Sequence, residues 1–393
     1  MRLTKVKALT KEFLDEIDFS WHTHPHNGES FVKDEIIKIT NSEVEDYYKA
    51  TNELYDMFVK AAEHVIENDL FHDLDIPFNL VDLIKQSWEN DVHWHLYGRF
   101  DLAGGLDGEP IKLLEFNADT PTSLIETSIA QWALLKFNNL DGESQFNNIY
   151  NAIGENFQRL ITLDESVENF GELYDGWKIL FSSVSGVQED EDTTRYLMDI
   201  ASEAGFKTEF AYVDEVEFSD EGVFFKEENY EYWFKLLPWE NIAIEEGELA
   251  TLLTDIVQNQ KAIILNPAYT LLFQSKGILK ILWELFPNHP LLLETSDKPL
   301  DGKSYVEKKC FGREGENVTI YDKDGSILDQ KDGEYGNFRS IYQEFTNLNR
   351  DESGNYYQAG VFFAYEACGL GFRTADRLIL EDRASFVAHL IEE

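Results

Sequence analysis

The sequence predicts a mixed α/β fold, and three observations support this. Apolar residues recur at helical spacing over long stretches of the first half of the chain. Between residues 178 and 213, an apolar run, a helical segment and a second apolar run follow one another, which is typical of a βαβ unit with parallel strands. The last third, from about Lys298, alternates short apolar segments with glycine turns, which favours antiparallel strands. Periodicity alone leaves the choice between α/β and α+β open.

Three helices are expected in the first half. The helix at 42–68 has apolar residues at helical spacing, namely Val44, Tyr47, Tyr48, Leu54, Tyr55, Phe58, Val59, Ala62 and Val65. The helix at 122–137 begins with Thr and Ser caps, and Glu126 follows shortly after them. Further helix is expected at 138–167.

The second half is expected to begin with the βαβ unit. Its strands lie at 178–184 and 207–213, and its helix lies at 189–204 and ends at Gly205 as a C-cap. A strand at 230–237, a helix at 245–259 and a strand at 262–265 continue the pattern, and the last strand ends at an Asn-Pro pair. These alternating elements predict a parallel sheet covered by helices.

Composition restricts the classes of partner. The 393 residues include 33 Lys and Arg against 75 Asp and Glu, a net charge of −42. Such an excess argues against nucleic acids and anionic membranes, because binding them requires basic residues that neutralise phosphates. It favours a cationic partner such as a polyamine, although solubility or the salt regime of the host explains it equally well.

Cysteine usage and hydropathy indicate a soluble, cytoplasmic protein. Cys310 and Cys368 are the two cysteines, so no disulfide framework is expected. The first residues lack the apolar stretch of a signal peptide. No window approaches the roughly 18 apolar residues that a membrane-spanning helix needs.

A β-hairpin is predicted from the segments GRFD (98–101) and LLEFNADTPTS (113–123). The residues between them contain Gly-Gly and Asp-Gly pairs, which are turn signals. If the turn is centred on Gly108, Asp101 lies opposite Glu115 and Arg99 lies opposite Asn117. All four side chains then project to one face of the hairpin, because residues two apart on a strand share a face.

This hairpin face predicts a magnesium site. Two facing carboxylates repel each other, and a hard cation bound by Asp101, Glu115 and the Asn117 amide oxygen would remove that repulsion. The alternative is a solvated polar face on an edge hairpin. The polar, turn-forming loop NADTPTS at the end of the second strand favours a site.

These motifs resemble a known family. GRFD, EFNADTPTSLIET and several later segments resemble the synthetase domain of the glutathionylspermidine synthetase family, from about Trp21 to the C-terminus. The resemblance implies an ATP- and Mg²⁺-dependent carboxylate–amine ligase. Too few residues precede Trp21 for the fused amidase domain of the family, so the expectation is a stand-alone member, a class regarded as acid–amine ligases of unassigned substrate.

The resemblance also implies a domain organisation. The fold expected is ATP-grasp-like, with residues 1–393 as a single synthetase module. Within it, 20–175 would hold the metal-motif hairpin and helices, 176–270 the pre-ATP-grasp βαβ sub-domain, and 271–393 the antiparallel, nucleotide-binding lobe.

Candidate nucleotide-binding residues lie in the last third. In SYVEKKCFGREGENVTIY, Lys308 precedes the loop Gly312-Arg313-Glu314-Gly315, and a glycine loop lets backbone N–H groups close over phosphates. On these residues alone, an exposed hairpin turn fits equally well. The resemblance implies that Lys308, Gly312, Arg313 and Gly315 bind ATP, with Lys276 as a second lysine.

The segment IYQEFTNL resembles the hinge between two lobes that contacts adenine through its backbone. The resemblance therefore implies that Gln343, Glu344 and Phe345 contribute to ATP binding. Phe345 is equally compatible with a plain core position.

Two arginines are the candidate catalytic residues. Ligation through an acyl phosphate passes through states with extra negative charge, which arginines stabilise. Arg99 lies on the predicted metal face, and the resemblance implies that Arg373, in CGLGFRTAD, is near the transferred phosphoryl group. Both also count as ATP-binding residues. Taken alone, Arg373 reads as a surface salt-bridge residue.

The resemblance assigns four further residues to the substrates. Thr120 and Thr122 keep the hydroxyl groups of serines that contact substrate in the family. Glu189 and Asp190 match acids near the polyamine, although acids also suit the first turn of a helix. Leu236 replaces a threonine of the family, which weakens the assignment of spermidine in particular.

The sequence therefore predicts a ligase that uses ATP and Mg²⁺ to join a small-molecule or peptide carboxylate to an amine, with a polyamine as one candidate. No nucleic acid or membrane partner is expected. The alternative is a nucleotide-binding regulatory or scaffold protein of the same fold without turnover.

Overall fold

Four β-sheets and the helices that flank them make up the residues described by the computed structural model, which are 1–24, 28–162, 177–381 and 384–392. The mixed α/β class is therefore confirmed. The end of the predicted helix 138–167, from residue 163 onward, lies outside the described residues.

In chain order, the strands of the described residues are β1 Leu3–Lys5, β2 Val32–Ile39, β3 Gly98–Ala103, β4 Lys112–Asn117, β5 Lys178–Ser183, β6 Lys207–Tyr212, β7 Glu217–Ser219, β8 Gly222–Phe225, β9 Glu228–Tyr230, β10 Tyr232–Leu236, β11 Ile263–Leu265, β12 Thr295–Ser296, β13 Tyr305–Lys309, β14 Val318–Tyr321, β15 Ile327–Lys331, β16 Ser340–Glu344, β17 Asn349–Arg350, β18 Tyr356–Ala364, β19 Glu366–Ala375 and β20 Ser385–Ile391.

The α-helices of the same residues are α1 Lys11–Glu16, α2 Asn41–Glu67, α3 Val81–Glu89, α4 Gln131–Phe137, α5 Ile149–Thr162, α6 Gln188–Glu203, α7 Trp239–Glu245, α8 Gly247–Gln258, α9 Thr270–Gln274 and α10 Ile278–Leu285. None of the described helices combines the length and the apolar composition needed to cross a membrane.

The largest sheet contains the predicted hairpin. Its strand order is β1-β2-β20-β19-β18-β3-β4, and β17 pairs with β18. Neighbours are antiparallel except β2 and β20, which are parallel. The hairpin β3–β4 is thus extended by a strand from the last part of the sequence, because β18 pairs with β3.

The second sheet is the parallel one. Its order is β11-β10-β5-β6, with α6 connecting β5 to β6, so the predicted βαβ unit is confirmed. An apolar core between this sheet and the large sheet includes Phe157 of α5, Phe181 of β5 and Phe362 of β18. This core fixes the parallel sheet beside the hairpin.

The third sheet is antiparallel, with the order β12-β16-β13-β14-β15, and a small sheet β7-β8-β9 lies between β6 and β10 in the chain. The expected lobe 271–393 therefore contributes to two sheets. Residues 295–344 form the third sheet, while β17 to β20 return to the large one.

Three element boundaries differ from the prediction. The helix predicted at 122–137 contains a π-helical turn, Glu126–Ala130, ahead of α4. The helix predicted at 138–167 begins only at Ile149. Asn138 instead caps the end of α4, and its side chain donates to the Leu134 carbonyl. The strand predicted at 230–237 is divided, since Tyr230 ends β9 and β10 begins two residues later.

A buried ion pair ties the large sheet to the parallel sheet. Asp119 follows β4, and its Oδ1 accepts a hydrogen bond from the Lys235 Nζ of β10 at 3.0 Å. The Trp239 backbone N–H donates to Asp119 Oδ2 at 2.9 Å. Both charged side chains are 0% exposed, so each depends on the other for compensation of its charge.

We predict that Lys235→Met lowers the free energy of unfolding by about 3–5 kcal/mol, because it leaves the Asp119 charge buried without its partner. Lys261→Met, which breaks the exposed pair with Glu221, should cost about 1 kcal/mol or less. Chemical denaturation of the two variants and the wild type measures both values. Equal losses in the two variants would contradict the structural role given to the buried pair.

Candidate active site

A cleft of about 490 Å³ opens where the hairpin, the parallel sheet and the third sheet meet. Its volume lies within the range of small-molecule sites. Sixteen predicted site residues line it, and they are Arg99, Glu115, Asn117, Thr120, Thr122, Glu189, Asp190, Lys276, Lys308, Gly312, Arg313, Gly315, Gln343, Glu344, Phe345 and Arg373. The remaining one, Asp101, is buried directly behind Arg99 and Arg373, and both arginines bond to it.

The hairpin has the register that the sequence predicts. Asp101 pairs with Glu115, and Arg99 pairs with Asn117. A bulge between Asp101 and Leu102 shifts the register by one residue toward the turn, beyond the site. Arg99 and Asp101 are buried, so the alternative of a solvated polar face is wrong for these two residues.

Asp101 holds two arginines at the cleft. Arg99 Nε donates to Asp101 Oδ1 at 2.7 Å and Arg99 Nη2 to Oδ2 at 3.1 Å, while Arg373 Nη2 donates to Oδ2 at 3.0 Å. Arg99 Nη1 also donates to the Thr122 carbonyl at 2.6 Å. Burial lowers the pKa of Arg99, but the Asp101 carboxylate offsets this and leaves the pKa raised. The Arg373 side chain is 26% exposed, lines the cleft and forms its salt bridge with the buried Asp101.

Glu115 is surrounded by positive charge. Lys276 Nζ lies 3.3 Å from Glu115 Oε2 and donates to the Gly312 carbonyl at 2.8 Å. Burial by itself raises the pKa of Glu115. The positive charges of Lys276, Lys308 and Arg373 outweigh this effect and lower the pKa to about 2. Cations therefore flank each of the two facing carboxylates, which offsets the repulsion expected between them.

Lys308 reaches the cleft from β13. Its Nζ donates to Gln343 Oε1 at 2.8 Å and to the Leu114 carbonyl at 3.1 Å. Burial lowers the pKa of Lys308 to about 8, against the opposing effect of the Glu115 carboxylate. Phosphate oxygens at the cleft would favour the charged form of this lysine.

The glycine loop connects β13 to β14 and also lines the cleft. Gly315 has a φ of +70°, and a Cβ there would lie 2.6 Å from the Ile379 side chain, so glycine is required. Arg313 Nη2 donates to Glu240 Oε1 of α7 at 2.6 Å. This bond fastens the loop to the helix that follows the parallel strand β10.

The cleft also contains two acidic residues. Glu189 and Asp190 lie at the start of α6, and burial raises the pKa of Glu189 to about 8 and that of Asp190 to about 6. Val184, Val187 and Leu236 give the cleft apolar walls. Such an environment suits a cationic group on an alkyl chain, because the cation would favour the ionised acids.

Several contributors to the site were missed by the sequence reasoning. Gln274 Oε1 accepts the backbone N–H groups of Ala118 and Asp119, at 2.9 and 3.2 Å, and fixes the loop after β4. Gln358 of β18 lies opposite Arg373 and lines the cleft. The contacts of Gln274 join segments far apart in sequence, so no local pattern could have revealed them.

No group of three or more His, Cys, Asp or Glu is placed to hold a metal ion in the part of the chain that the structure describes. The predicted magnesium site is of a different composition, with two carboxylates and the Asn117 amide on one hairpin face. Asn117 Nδ2 has no hydrogen-bond partner among the described residues.

Comparison with known families and proteins agrees with the motifs. Residues 1–392 match the family model described as glutathionylspermidine synthase preATP-grasp. A protein of Haemophilus influenzae named "putative acid–amine ligase" is 29% identical over 389 residues, which cover 95% of this chain and 94% of that protein.

Two longer relatives match over most of this chain. The bifunctional glutathionylspermidine synthetase/amidase of Escherichia coli is 25% identical over 82% of this chain and 54% of its own length. The trypanothione synthetase of Crithidia fasciculata is 24% identical over 86% of this chain and 53% of its own length. The chain thus spans about half the length of these two proteins.

Among solved structures, a glutathione synthetase-like effector from Globodera pallida, in its apo form, has a TM-score of 0.54. The likeness covers 90% of this chain and 89% of the effector at 10% sequence identity. At this identity the likeness concerns the fold alone.

We predict that ATP affinity falls about tenfold between about pH 7 and about pH 9, because the bound anion needs the charged form of Lys308, whose pKa is about 8. Calorimetric titration with ATP across this range measures the effect. Lys308→Arg keeps its charge and should remove most of the dependence, whereas Lys323→Arg, at an exposed turn, should retain it. The same slope in Lys308→Arg and the wild type would contradict the prediction.

Proposed function

Because this chain belongs to the glutathionylspermidine synthase family, we propose that it is an ATP- and Mg²⁺-dependent ligase with an ATP-grasp-like fold that joins a carboxylate to an amine through an acyl phosphate. One observation carries the proposal. A single cleft is lined both by arginines and lysines, several of them around Glu115, and by the half-buried acids Glu189 and Asp190. Such a cleft suits a phosphorylated acyl group and an ammonium group side by side.

The cationic residues of the cleft provide the contacts for ATP. Lys276 and Lys308 would bind phosphate oxygens, and the loop Gly312–Gly315 would close over them with its backbone N–H groups. The segment Gln343–Phe345 lines the same cleft at the end of β16 and would contact adenine. In a chain of net charge −42, this local concentration of cations is what a nucleotide needs.

The hairpin face fits Mg²⁺. Glu115 and Asn117 offer oxygens to the cleft, and Asp101 lies on the same face in register with Glu115. Glu115 and Asn117 would hold the ion, and Asp101 would join them on releasing one of its bonds to Arg99 or Arg373, since Mg²⁺ takes a few protein oxygens and leaves its other positions to phosphates and water. When bound, the ion would neutralise phosphate charge.

The reaction would proceed in two steps. In the first, an oxygen of the substrate carboxylate attacks the γ-phosphorus, ADP leaves, and an acyl phosphate forms. In the second, the amine nitrogen attacks the acyl carbon, the bond from this carbon to the phosphate oxygen breaks, and phosphate leaves. Arg99 and Arg373 would stabilise the negative charge of the transferring group, because Asp101 fixes both guanidinium groups in advance.

The remaining cleft residues would position the substrates. Thr120 and Thr122 present hydroxyl groups for the carboxylate substrate, and Glu189 and Asp190 would bind the charged amine. The relatives named as glutathionylspermidine and trypanothione synthetases make a polyamine a reasonable amine to test. The carboxylate is a small acid or peptide.

The proposal is tested by supplying ATP, Mg²⁺, a panel of peptides and acids including glutathione, and a panel of amines including spermidine. Mass spectrometry should find a product lighter than the sum of one acid and one amine by one water, with equal amounts of ADP and phosphate. ATP binding without any product across the panel would instead favour a nucleotide-binding regulatory or scaffold role.

We predict that Arg373→Ala lowers the rate of product formation about a hundredfold or more while changing ATP affinity much less, because it removes a preorganised charge from the transferring group. Arg350→Ala, at an exposed position in β17, is the matched control and should keep the wild-type rate. The measurements are steady-state product formation and calorimetric ATP binding. Equal rates in Arg373→Ala and the wild type would exclude Arg373 from the reaction.

A further inference from the structure

Glu126 is a buried carboxylate that the functions assigned above do not use. It opens the π-helical turn Glu126–Ala130, directly after the loop that carries Thr120 and Thr122. The residue is 1% exposed, and no hydrogen bond of ordinary length and angle reaches either carboxylate oxygen from the described residues, although the Trp21 indole and its own backbone N–H lie near enough to lower its pKa. A buried carboxylate is costly without a partner, so its position calls for a ligand or a proton.

The π-helical turn is fixed between β19 and α6. On one side it packs against β19, the strand of Arg373, and a Cβ at Gly371 would lie 2.7 Å from Thr127 Oγ1. On the other side, Ser128 Oγ and the Tyr196 hydroxyl of α6 are hydrogen-bonded at 2.6 Å. Helix α6 begins with Glu189 and Asp190, so the turn contacts both the strand of Arg373 and the helix of the two acids.

The charges around Glu126 agree with this placement. Burial raises the pKa of Glu126 to about 7, against the opposing effects of its own backbone N–H, Trp21, Arg99 and Arg373. After burial, the charge of Glu126 is the largest of the effects that raise the pKa of Glu189. Glu126 therefore lies close enough to Arg99, Arg373 and Glu189, which line the cleft, for their charges to act on one another.

The titratable and charged groups that face Glu126 come from three elements. They are Arg99 on β3, Arg373 on β19 and Glu189 on α6.

We propose that the reacting ammonium group of the amine substrate binds between Glu189 and Glu126, and that Glu126 accepts its proton. This rests on the proposed function. The N–H bond breaks and the proton moves to a Glu126 oxygen, which leaves the nitrogen lone pair free to form the C–N bond to the acyl phosphate. The C–O bond to phosphate breaks, and its electron pair leaves with the phosphate.

The chemistry of the site supports this role. An aliphatic amine is protonated near neutral pH and cannot attack until it loses a proton. A base works best when its pKa lies close to the operating pH, which is the case for Glu126. The ammonium group would also give the Glu126 carboxylate a well-formed hydrogen bond, which the described residues do not provide.

The first measurement needs no carboxylate substrate. Calorimetric titration with spermidine should show about tenfold weaker binding to Glu126→Gln than to the wild type, because a charged hydrogen bond is lost. Glu63→Gln, at an exposed position of α2, removes the same charge and should bind like the wild type. Equal spermidine affinity in Glu126→Gln and the wild type, or no binding to the wild type, would overturn the proposal.

The second measurement separates base catalysis from folding and from acyl-phosphate formation. With ATP and glutathione, Glu126→Gln should form the amide with spermidine about a hundredfold more slowly. It should form the hydroxamate with hydroxylamine at the wild-type rate, because this nucleophile is uncharged at neutral pH. The wild-type rate of amide formation should rise through about pH 7, and Glu126→Gln should lose this rise.

The outcomes distinguish this inference from the proposed function. Loss of both products in Glu126→Gln would make Glu126 a structural residue, and retention of both would exclude it as the base. If the wild type forms neither amide nor hydroxamate from any acid tested, the proposed function fails, and the spermidine affinities alone then decide whether Glu126 is part of an amine site.

Discussion

The pairing of buried cations with the facing carboxylates of one hairpin is the interaction on which the candidate site depends. Asp101 accepts hydrogen bonds from Arg99 and Arg373, which come from strands far apart in the chain. Glu115 forms an ion pair with Lys276. Without the carboxylates, these cations could not be buried, because an unpaired buried charge costs several kcal/mol. Without the cations, the carboxylates would repel each other. Each set therefore fixes the other before any ligand arrives.

This arrangement explains how a chain of net charge −42 can offer an anion site. Cations of the cleft come from the hairpin, the third sheet and the glycine loop, and the acids Glu189 and Asp190 line the same cleft from the start of α6. The ion pair Asp119–Lys235 joins the loop after the hairpin to the parallel sheet. The ion pair Arg313–Glu240 joins the glycine loop to α7, the helix that follows the parallel strand β10. Preorganisation of opposite charges in one cleft supports a reaction between an acyl phosphate and an amine.

Local sequence signals predicted the parts of the site that depend on local geometry. The register of Asp101 with Glu115 followed from strand periodicity and one turn signal. The motifs also identified the family, and most proposed contacts came from that resemblance. Long-range partners could not be predicted in this way: Gln274 binds a loop more than 150 residues earlier, with separations of 156 and 155 residues. The π-helical turn at Glu126 was read as regular helix, because its packing against β19 leaves no local signal.

The transfer of oxygen from the carboxylate substrate to phosphate tests the central claim most directly. In this measurement, an acid found to react is labelled with ¹⁸O in its carboxylate and supplied with ATP, Mg²⁺ and the amine, and the released phosphate is analysed by mass spectrometry. An acyl phosphate formed in the cleft predicts one ¹⁸O atom in each phosphate, because the C–O bond breaks when the amine attacks the acyl carbon. Phosphate that carries no label would contradict the account, since the carboxylate would then never have been phosphorylated.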